Sequence, residues 1–242
     1  MVIVLTLLTF FYCSTSAQAP GIENQQQFQV HISKTTEKIN IDGALNETVW
    51  QSAEIAPVQW NWVPQDIGKQ KRRLDIRACY NDQYIFFSYT GYDSGTHVVK
   101  TLKRDTEVGQ SDGMGLVLDP SNGRQTGFVF ILSVANVQAE DVISASGSIK
   151  VDWSWDNKWI SAVKKYGNTW TMEIAIPFKT LRYPKNKTLW GINFGQADIR
   201  NNQYSVWSKL PADKNFYDLG FTGSLIWDAP PPATKGNFSF IP

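Results

Sequence analysis

The stretch that decides the fold is LDIRACYNDQYIFFSYTG, residues 74–91, in which two strand-like runs flank a turn. Every second residue from Leu74 to Tyr80 is apolar or aromatic, so these side chains would share one face of a strand. The run after the turn is rich in the aromatic and β-branched residues that favour strands. Asn81-Asp82-Gln83 between them has the turn chemistry that joins antiparallel neighbours. The stretch therefore predicts a β-hairpin.

Short runs of this kind, separated by turn residues, recur along the whole chain. The predicted strands are residues 28–32, 73–80, 83–91, 113–118, 126–134, 159–166, 169–176, 189–196, 203–208 and 220–227. Helix signals are confined to a short segment that Asn46 could cap and to a single turn over Phe178–Leu181. Many short strands with very little helix predict an all-β protein, an antiparallel β-sandwich.

Composition and charge exclude several classes of protein. The chain has 242 residues, of which 42% are hydrophobic, enough for a sizeable core, and its formal net charge is +1. It lacks the basic stripe of a nucleic-acid-binding protein, so no nucleic-acid partner is expected. His31 and His97 are the only histidines, and the sequence contains no nucleophile elbow, P-loop, CxxC or HExxH motif. These features favour a protein without catalytic activity.

Both ends of the chain differ from the body. The apolar run VIVLTLLTFFY, residues 2–12, precedes the small and polar CSTSAQA, and it is far shorter than the roughly 20 residues that span a bilayer. We therefore expect residues 1–17 to be a signal peptide, residues 18–27 a flexible lead and residues 28–228 the folded domain. Residues 229–242 contain three consecutive prolines and then GNFSFIP, which predicts a stiff linker and the start of a further C-terminal region.

The segment KINIDGALNETVWQSAE, residues 38–54, resembles the opening of carbohydrate-binding module family 9 domains, with its pattern I-D-G-x-L-x-E-x-x-W-x-x-A. The later segments RDTEVGQSDGMGLVLDP (104–120), WTMEIAIPFKTLRYP (170–184) and LGFTGSLIW (219–227) are similar to that family in the same order. The resemblance extends over about residues 30–227.

The resemblance implies a jelly-roll-like β-sandwich that binds sugars without catalysis, often with a structural calcium ion. It is most pronounced to the N-terminal domains of Gram-negative surface proteins, where such a sandwich precedes a C-terminal β-barrel. Export to the periplasm or cell surface and a barrel or other outer-membrane partner are therefore expectations from the resemblance.

In the family's founding members the sugar binds between two tryptophan rings. This sequence departs from that pattern. Glu107-Val108-Gly109-Gln110-Ser111 stands before Asp112, where one of those tryptophans would be, and Phe216-Tyr217 stands near the other position. One stacking surface is thus expected at Phe216. The resemblance therefore supports the family more strongly than it supports the family's sugar ligand.

A sugar site needs flat aromatic rings beside charged or amide groups. Aromatic candidates also include Trp60, Trp62 and Trp159. The predicted carbohydrate-binding residues are Trp153, Trp155, Phe216, Tyr217, Trp207, Arg104, Asp112, Arg200 and Gln203. Two alternatives stay open, since the tryptophans could instead be core residues and the arginines could form ion pairs that tie loops together.

The loop Asp119-Pro120-Ser121-Asn122-Gly123 is rich in the oxygen ligands that calcium prefers. Asp119 and Asn122 are the predicted metal ligands, although the same residues would suit an ordinary hairpin turn.

Three functions remain open at this point. The first is an exported domain that binds a polysaccharide or oligosaccharide and is linked to carbohydrate catabolism. The second is a structural or docking β-sandwich with a degenerate sugar site, and the third is part of a glycoside-processing protein with its catalysis elsewhere. Exposed aromatic rings would favour the first, and their burial would favour the second.

Overall fold

A computed structural model describes residues 20–233 except residues 94, 107, 146–147 and 152–153. The predicted signal peptide and most of the predicted C-terminal linker lie outside these residues. None of the helices within them is long and apolar enough to cross a membrane.

The described residues form thirteen strands and two short α-helices. The helices are α1 (Pro20–Gln27) and α2 (Thr48–Ser52), and single 3-10 turns lie at Val108–Gln110, Phe178–Thr180, Ile199–Asn201 and Leu219–Phe221. The strands are β1 (Gln29–Lys34), β2 (Ala56–Val63), β3 (Lys69–Tyr80), β4 (Tyr84–Tyr92), β5 (Gly113–Asp119), β6 (Thr126–Ser133), β7 (Gln138–Ser144), β8 (Lys150–Val151), β9 (Ile160–Tyr166), β10 (Thr169–Pro177), β11 (Leu189–Asp198), β12 (Gln203–Val206) and β13 (Gly223–Trp227).

The strands form a β-sandwich whose two halves are joined by hydrogen bonds. One half has the order β8-β7-β6-β5-β11 and the other β2-β3-β4-β10-β9, with β12 pairing between β11 and β2. On a second path β13 pairs with β11, and β1 pairs with both β13 and β3. Six strands, β11-β13-β1-β3-β2-β12, therefore form a closed ring. The two pairings of β1 are parallel, whereas the sequence predicted antiparallel pairing throughout.

The core lies between the two halves and follows from the alternation along the strands. In β3 it takes Leu74, Ile76, Ala78 and Tyr80, the face predicted from the sequence. Phe194 of β11 packs across the interior against aromatic residues of β4, with ring centroids 5.9 Å from Phe87 and 6.5 Å from Tyr89. Burial of these large rings contributes to the stability of the fold.

The predicted hairpins are present, and three strands are additional. β4 follows β3 through the Asn81 turn, in which the side-chain oxygen of Asn81 accepts hydrogen bonds from the backbone N–H groups of Gln83 and Tyr84. β2, β7 and the two-residue β8 were not predicted. β2 contains Pro57 and two tryptophans without clear alternation, and β7 carries two adjacent carboxylates.

Two local predictions need correction. Residues 20–27, expected to be a flexible lead, form α1, whose Asn24 side chain donates to the carbonyl oxygens of Lys209 and Phe221. The start of α2 is held by Glu37 and not by Asn46. The Glu37 carboxylate accepts hydrogen bonds from the backbone N–H groups of Thr48 and Val49, which satisfies two of the free donors at the helix start.

The IDGALNETVW segment is fastened to the sandwich by a buried carboxylate on β10. Glu173 accepts hydrogen bonds from the Trp50 indole N–H at 3.0 Å, the Gly43 N–H at 2.8 Å and the Asp42 N–H at 3.2 Å. Gly43 has a φ of +79°, and a Cβ there would lie 3.0 Å from Lys164, so glycine is required. These residues of the motif therefore have a structural role.

Candidate functional site

A patch of the smallest residues lies on the outward face of β5 and β11. Met114 and Leu116 of β5 point into the core, so Gly113 and Gly115 lie on the opposite face. In the antiparallel register Gly115 pairs with Gly195 and Gly113 pairs with Ala197. Four neighbouring positions on two strands thus carry at most a methyl group, which leaves a depression above the sheet backbone.

Phe216 lies directly on this floor. A Cβ added at Gly115 would come within 2.7 Å of the Phe216 ring, and one added at Gly195 within 2.8 Å. Any larger residue at either position would displace the ring, so both glycines are needed for the close approach of Phe216 to the sheet. Phe216 and Tyr217 are each half-buried, and their ring centroids are 6.0 Å apart.

Two further aromatic rings approach from β2 and β12. The centroid of the Trp62 ring lies 6.1 Å from that of Phe216, with an interplanar angle of 37°. It also lies 6.1 Å from that of Tyr204. The indole N–H of Trp62 donates to the Pro211 carbonyl at 3.1 Å, which fixes the orientation of the ring.

We call the resulting depression the glycine-floored pocket. Its volume is about 160 Å³. The lining residues are Trp62, Gly109, Ser111, Gly113, Met114, Gly115, Ile131, Gly195, Gln196, Ala197, Tyr204, Ser205, Asn215, Phe216 and Tyr217.

The polar groups of the glycine-floored pocket are few. The Ser205 hydroxyl is buried and has no hydrogen-bond partner among the described residues, although buried polar atoms are normally paired. The Gln196 side chain accepts a hydrogen bond from the Gln70 amide at 3.0 Å. Burial raises the pKa of the Tyr217 phenol, so this ring stays neutral at physiological pH. A largely apolar lining with a small number of polar groups is typical of a small-molecule site.

The predicted aromatic residues fall into two groups. Phe216 and Tyr217 line the pocket, whereas Trp207 is a core residue that packs against Phe28 and Phe194. Trp155 is half-buried and packs on Phe128 with ring centroids 5.3 Å apart, which matches the alternative that the tryptophans are core residues. Trp153 lies outside the described residues.

Arg104 lies away from the pocket and ties several segments together. Its guanidinium donates to the side chains of Gln138 and Glu140 of β7 and to the Asn157 carbonyl. The Glu140 side chain is fully buried, and burial raises the pKa of this carboxyl even though Trp159, Asn157 and Arg104 favour its charged form. This arrangement matches the alternative in which Arg104 forms an ion pair that ties segments together, without contacting a sugar.

The other predicted polar residues surround the pocket at a distance from its centre. The buried Asp112 carboxylate accepts hydrogen bonds from the backbone N–H groups of Val98 at 2.9 Å and Ile199 at 2.7 Å. Arg200 donates to the Thr96 hydroxyl at 3.3 Å, and the Gln203 amide donates to Asn61. None of these three predicted residues is itself among the lining residues of the pocket.

The donors at the predicted calcium loop do not fit a calcium ion. One Asp119 oxygen accepts a hydrogen bond from the Ser121 hydroxyl at 2.8 Å and the other from the Arg124 N–H at 2.7 Å, while the Asn122 side-chain oxygen accepts from Gln25. The described residues contain no group of three or more His, Cys, Asp or Glu side chains suited to a metal ion. The loop is an ordinary turn between β5 and β6, and calcium stays a prediction from the resemblance.

The sequence analysis missed most of the pocket. Trp62 was considered only as one of several aromatic residues, and Tyr204 was not considered at all. The available signal was the glycine content of two strands, because Gly113, Gly115 and Gly195 interrupt runs of large apolar residues. Glycine inside a strand often marks the close approach of another group.

Comparison with solved structures supports the architecture. A carbohydrate-binding module family 9 domain from Caldicellulosiruptor kristjanssonii, solved with cellotriose, shares 13% identity over 88% of this chain and 98% of its own, with a TM-score of 0.60. The same family's domain from that organism solved with glucose gives 14% identity over 86% and 99%, also with a TM-score of 0.60.

A putative carbohydrate-binding protein from Bacteroides uniformis has a TM-score of 0.67, with 13% identity over 83% of this chain and 99% of its own. At this level of identity these likenesses show a shared fold. No curated protein matches the sequence.

A model of the family described as carbohydrate family 9 binding domain-like matches residues 41–224, which contain β2 to β12 and the glycine-floored pocket. The match covers most of the chain and begins at the segment that Glu173 fastens to the sandwich. The family is a non-catalytic, carbohydrate-binding one. The chain belongs to the carbohydrate family 9 binding domain-like family.

Proposed function

We propose that this chain binds an oligosaccharide or the end of a polysaccharide in the glycine-floored pocket. The observation that carries the proposal is the set of aromatic rings around a floor of glycine backbone. Phe216 and Trp62 lie 6.1 Å apart by their centroids, and flat rings of this kind pack against the apolar C–H faces of sugars. The unpaired Ser205 hydroxyl and the Asn215 amide at the rim would bind sugar hydroxyl groups.

The pocket differs from the pattern expected from the family resemblance in the origin of its second aromatic surface. The segment before Asp112 contains no tryptophan. In its place Trp62 of β2 approaches Phe216, and Tyr204 of β12 lies against Trp62. The ligands in the neighbouring structures, cellotriose and glucose, make gluco-oligosaccharides the first class to test.

We further propose that the chain is exported to the periplasm or cell surface of a Gram-negative bacterium and is linked to carbohydrate catabolism. The apolar run at residues 2–12 and the small residues that follow support export. Expression of the chain with and without residues 1–17, followed by cell fractionation, tests this. Equal retention of both forms in the cytoplasm would contradict export.

Sugar binding is tested by titrating residues 20–233 with cellotriose and with glucose while recording tryptophan fluorescence and heat. We expect saturable binding that falls at least tenfold in Trp62→Ala and in Phe216→Ala, because each ring loses contact area worth about 1.5 kcal/mol or more. Tyr166→Ala is the matched control, since Tyr166 is an aromatic residue exposed on β9 outside the pocket.

A folded protein that shows no heat or fluorescence change with a broad panel of neutral and acidic oligosaccharides would contradict the proposal. Equal affinity of Phe216→Ala and the unmodified chain would show that sugars bind elsewhere.

A further inference from the structure

A second cavity lies beside the glycine-floored pocket and has a different chemistry. Its volume is about 310 Å³, and we call it the Trp60 cavity. Its lining residues are Asn24, Gln27, Trp60, Asn61, Asp66, Lys209, Leu210, Pro211 and Phe221.

Two ammonium groups lie over the indole ring of Trp60, and of these two lysines Lys209 lines the cavity. The Nζ atom of Lys209 is 4.1 Å from the centroid of the Trp60 ring, and that of Lys69 is 5.1 Å from it. Each contact is a cation–π interaction, which holds the charge close to the ring. Neither ammonium group forms an ion pair with a carboxylate of the residues that the structure describes. Two positive charges therefore lie against one aromatic ring without a direct ion pair to a described carboxylate.

The backbone fixes both lysines in place. Lys69 of β3 is the direct cross-strand partner of Trp60 of β2, so its side chain reaches the ring from the adjacent strand. The Lys209 carbonyl accepts a hydrogen bond from the buried Asn24 side chain at 2.8 Å, which anchors the loop to α1. The Asp66 carboxylate also lines the cavity, and one of its oxygens accepts a hydrogen bond from the Ala212 N–H at 3.1 Å.

The Trp60 cavity and the glycine-floored pocket are neighbours. Trp60 and Trp62 are two residues apart on β2, a distance of about 7 Å along a strand. The Trp62 indole N–H donates to Pro211, and Pro211 lines the Trp60 cavity. A short glycan with one ring in the glycine-floored pocket would therefore extend past Pro211 to the two ammonium groups.

We propose that the Trp60 cavity binds an anionic substituent, a carboxylate or a sulfate, of an acidic oligosaccharide whose adjacent ring occupies the glycine-floored pocket. This proposal rests on the proposed function and specifies its substrate class. Lys69 and Lys209 supply the charge, which a carboxylate or sulfate would neutralise through charge-assisted hydrogen bonds. A neutral glycan can accept hydrogen bonds from these groups but lacks the charge that would pair with them.

The test compares three ligands that share one backbone: cellotriose, cellotriose oxidised to the 6-carboxylates and cellotriose 6-sulfate. Binding is measured by calorimetry at low and at high salt. We expect at least one charged ligand to bind at least tenfold more tightly than cellotriose at low salt, with the advantage reduced at high salt. The carboxylate and sulfate arms show which anion the cavity accepts.

Variants assign the effect to the cavity. The double change Lys69→Met with Lys209→Met keeps apolar stems of similar length and removes both charges. It should abolish the advantage of the charged ligands and leave the affinity for cellotriose unchanged. Lys71→Met is the matched control, because Lys71 is exposed on the same strand and makes no contact with the Trp60 ring.

Three outcomes would overturn the proposal. Equal affinity for charged and neutral ligands, or an advantage that survives in the double variant, would refute the acidic substrate class while leaving sugar binding intact. Absence of binding for all three ligands would refute the acidic class together with the proposed function for this glycan backbone.

Discussion

Replacing Glu173 by Gln should change how the stability of the domain depends on pH. Burial raises the pKa of Glu173 to about 7, against an ordinary value of 4.5, despite hydrogen bonds from Gly43, Trp50 and Asp42 that favour the charged form. The nearby Glu47 carboxylate raises it further. At a pH between 4.5 and about 7, Glu173 is therefore protonated in the folded state and ionised in the unfolded chain.

The sign and size of the effect follow from this difference. Glu173 contributes stability that is fully present below about pH 4.5 and is lost as the pH rises through about 7. Each tenfold change in proton affinity, or one pKa unit, corresponds to about 1.4 kcal/mol. Because the pKa of Glu173 rises from 4.5 to about 7, the loss of unfolding free energy is on the order of 3 kcal/mol. The amide of Glu173→Gln has no such proton. From pH 4.5 to 8, the variant should gain about 3 kcal/mol of unfolding free energy relative to the unmodified chain.

The assay is urea unfolding of both proteins at several pH values, followed by tryptophan fluorescence and circular dichroism. All other titrating groups are common to the two proteins, so the difference between the curves isolates Glu173. An unchanged dependence of free energy on urea concentration checks that both unfold to comparable states. The reasoning would be refuted if the unfolding free energies of the two proteins changed in parallel with pH. It would also be refuted if the unmodified chain gained stability relative to the variant as the pH rises.

Three further predictions concern the pocket and its surroundings. Gly115→Val should reduce sugar affinity at least tenfold in a calorimetric titration, because its side chain would occupy the place of the Phe216 ring, whereas the urea midpoint should shift little since valine suits a strand. Trp155→Ala should leave sugar affinity unchanged and lower the unfolding free energy by about 2 kcal/mol, since the ring packs on the core; a loss of affinity would return Trp155 to the sugar site. Arg104→Met should lower the unfolding free energy by about 3 kcal/mol in the same urea assay, because Glu140 would remain buried without its cation, and a change under 1 kcal/mol would contradict that role.

Much of the fold could be predicted because most of its strands bury one face. The alternation from Leu74 to Tyr80 is the pattern found in the core. β7 escaped prediction because its carboxylates Glu140 and Asp141 are buried, which the sequence pattern does not indicate. Glu140 is satisfied by Arg104 and Trp159, which lie far from it in sequence.

The candidate site was harder to predict because it is assembled from distant strands. Phe216 was identified from its position before the closing strand, as the family resemblance implied. Trp62 contacts Phe216, and Tyr204 reaches Trp62 because β2 pairs with β12, with Val63 opposite Tyr204. Trp155 shows a different difficulty, because it lies between β8 and β9 and outside both strands, where alternation does not indicate which side chains are buried.

The closed ring of strands also constrains the order in which the strands can pair while the chain is synthesised. Residues 29–32 of β1 pair with β13 (Gly223–Trp227), so this part of an early strand must wait for nearly the whole domain to be synthesised before its partner exists, whereas Ser33 and Lys34 pair with β3. Contacts between such distant segments slow folding. Until then residues 29–32 have unpaired backbone groups, which are prone to association with other chains. A ribosome-stalled chain that ends before β13 should therefore remain open and need protection from aggregation.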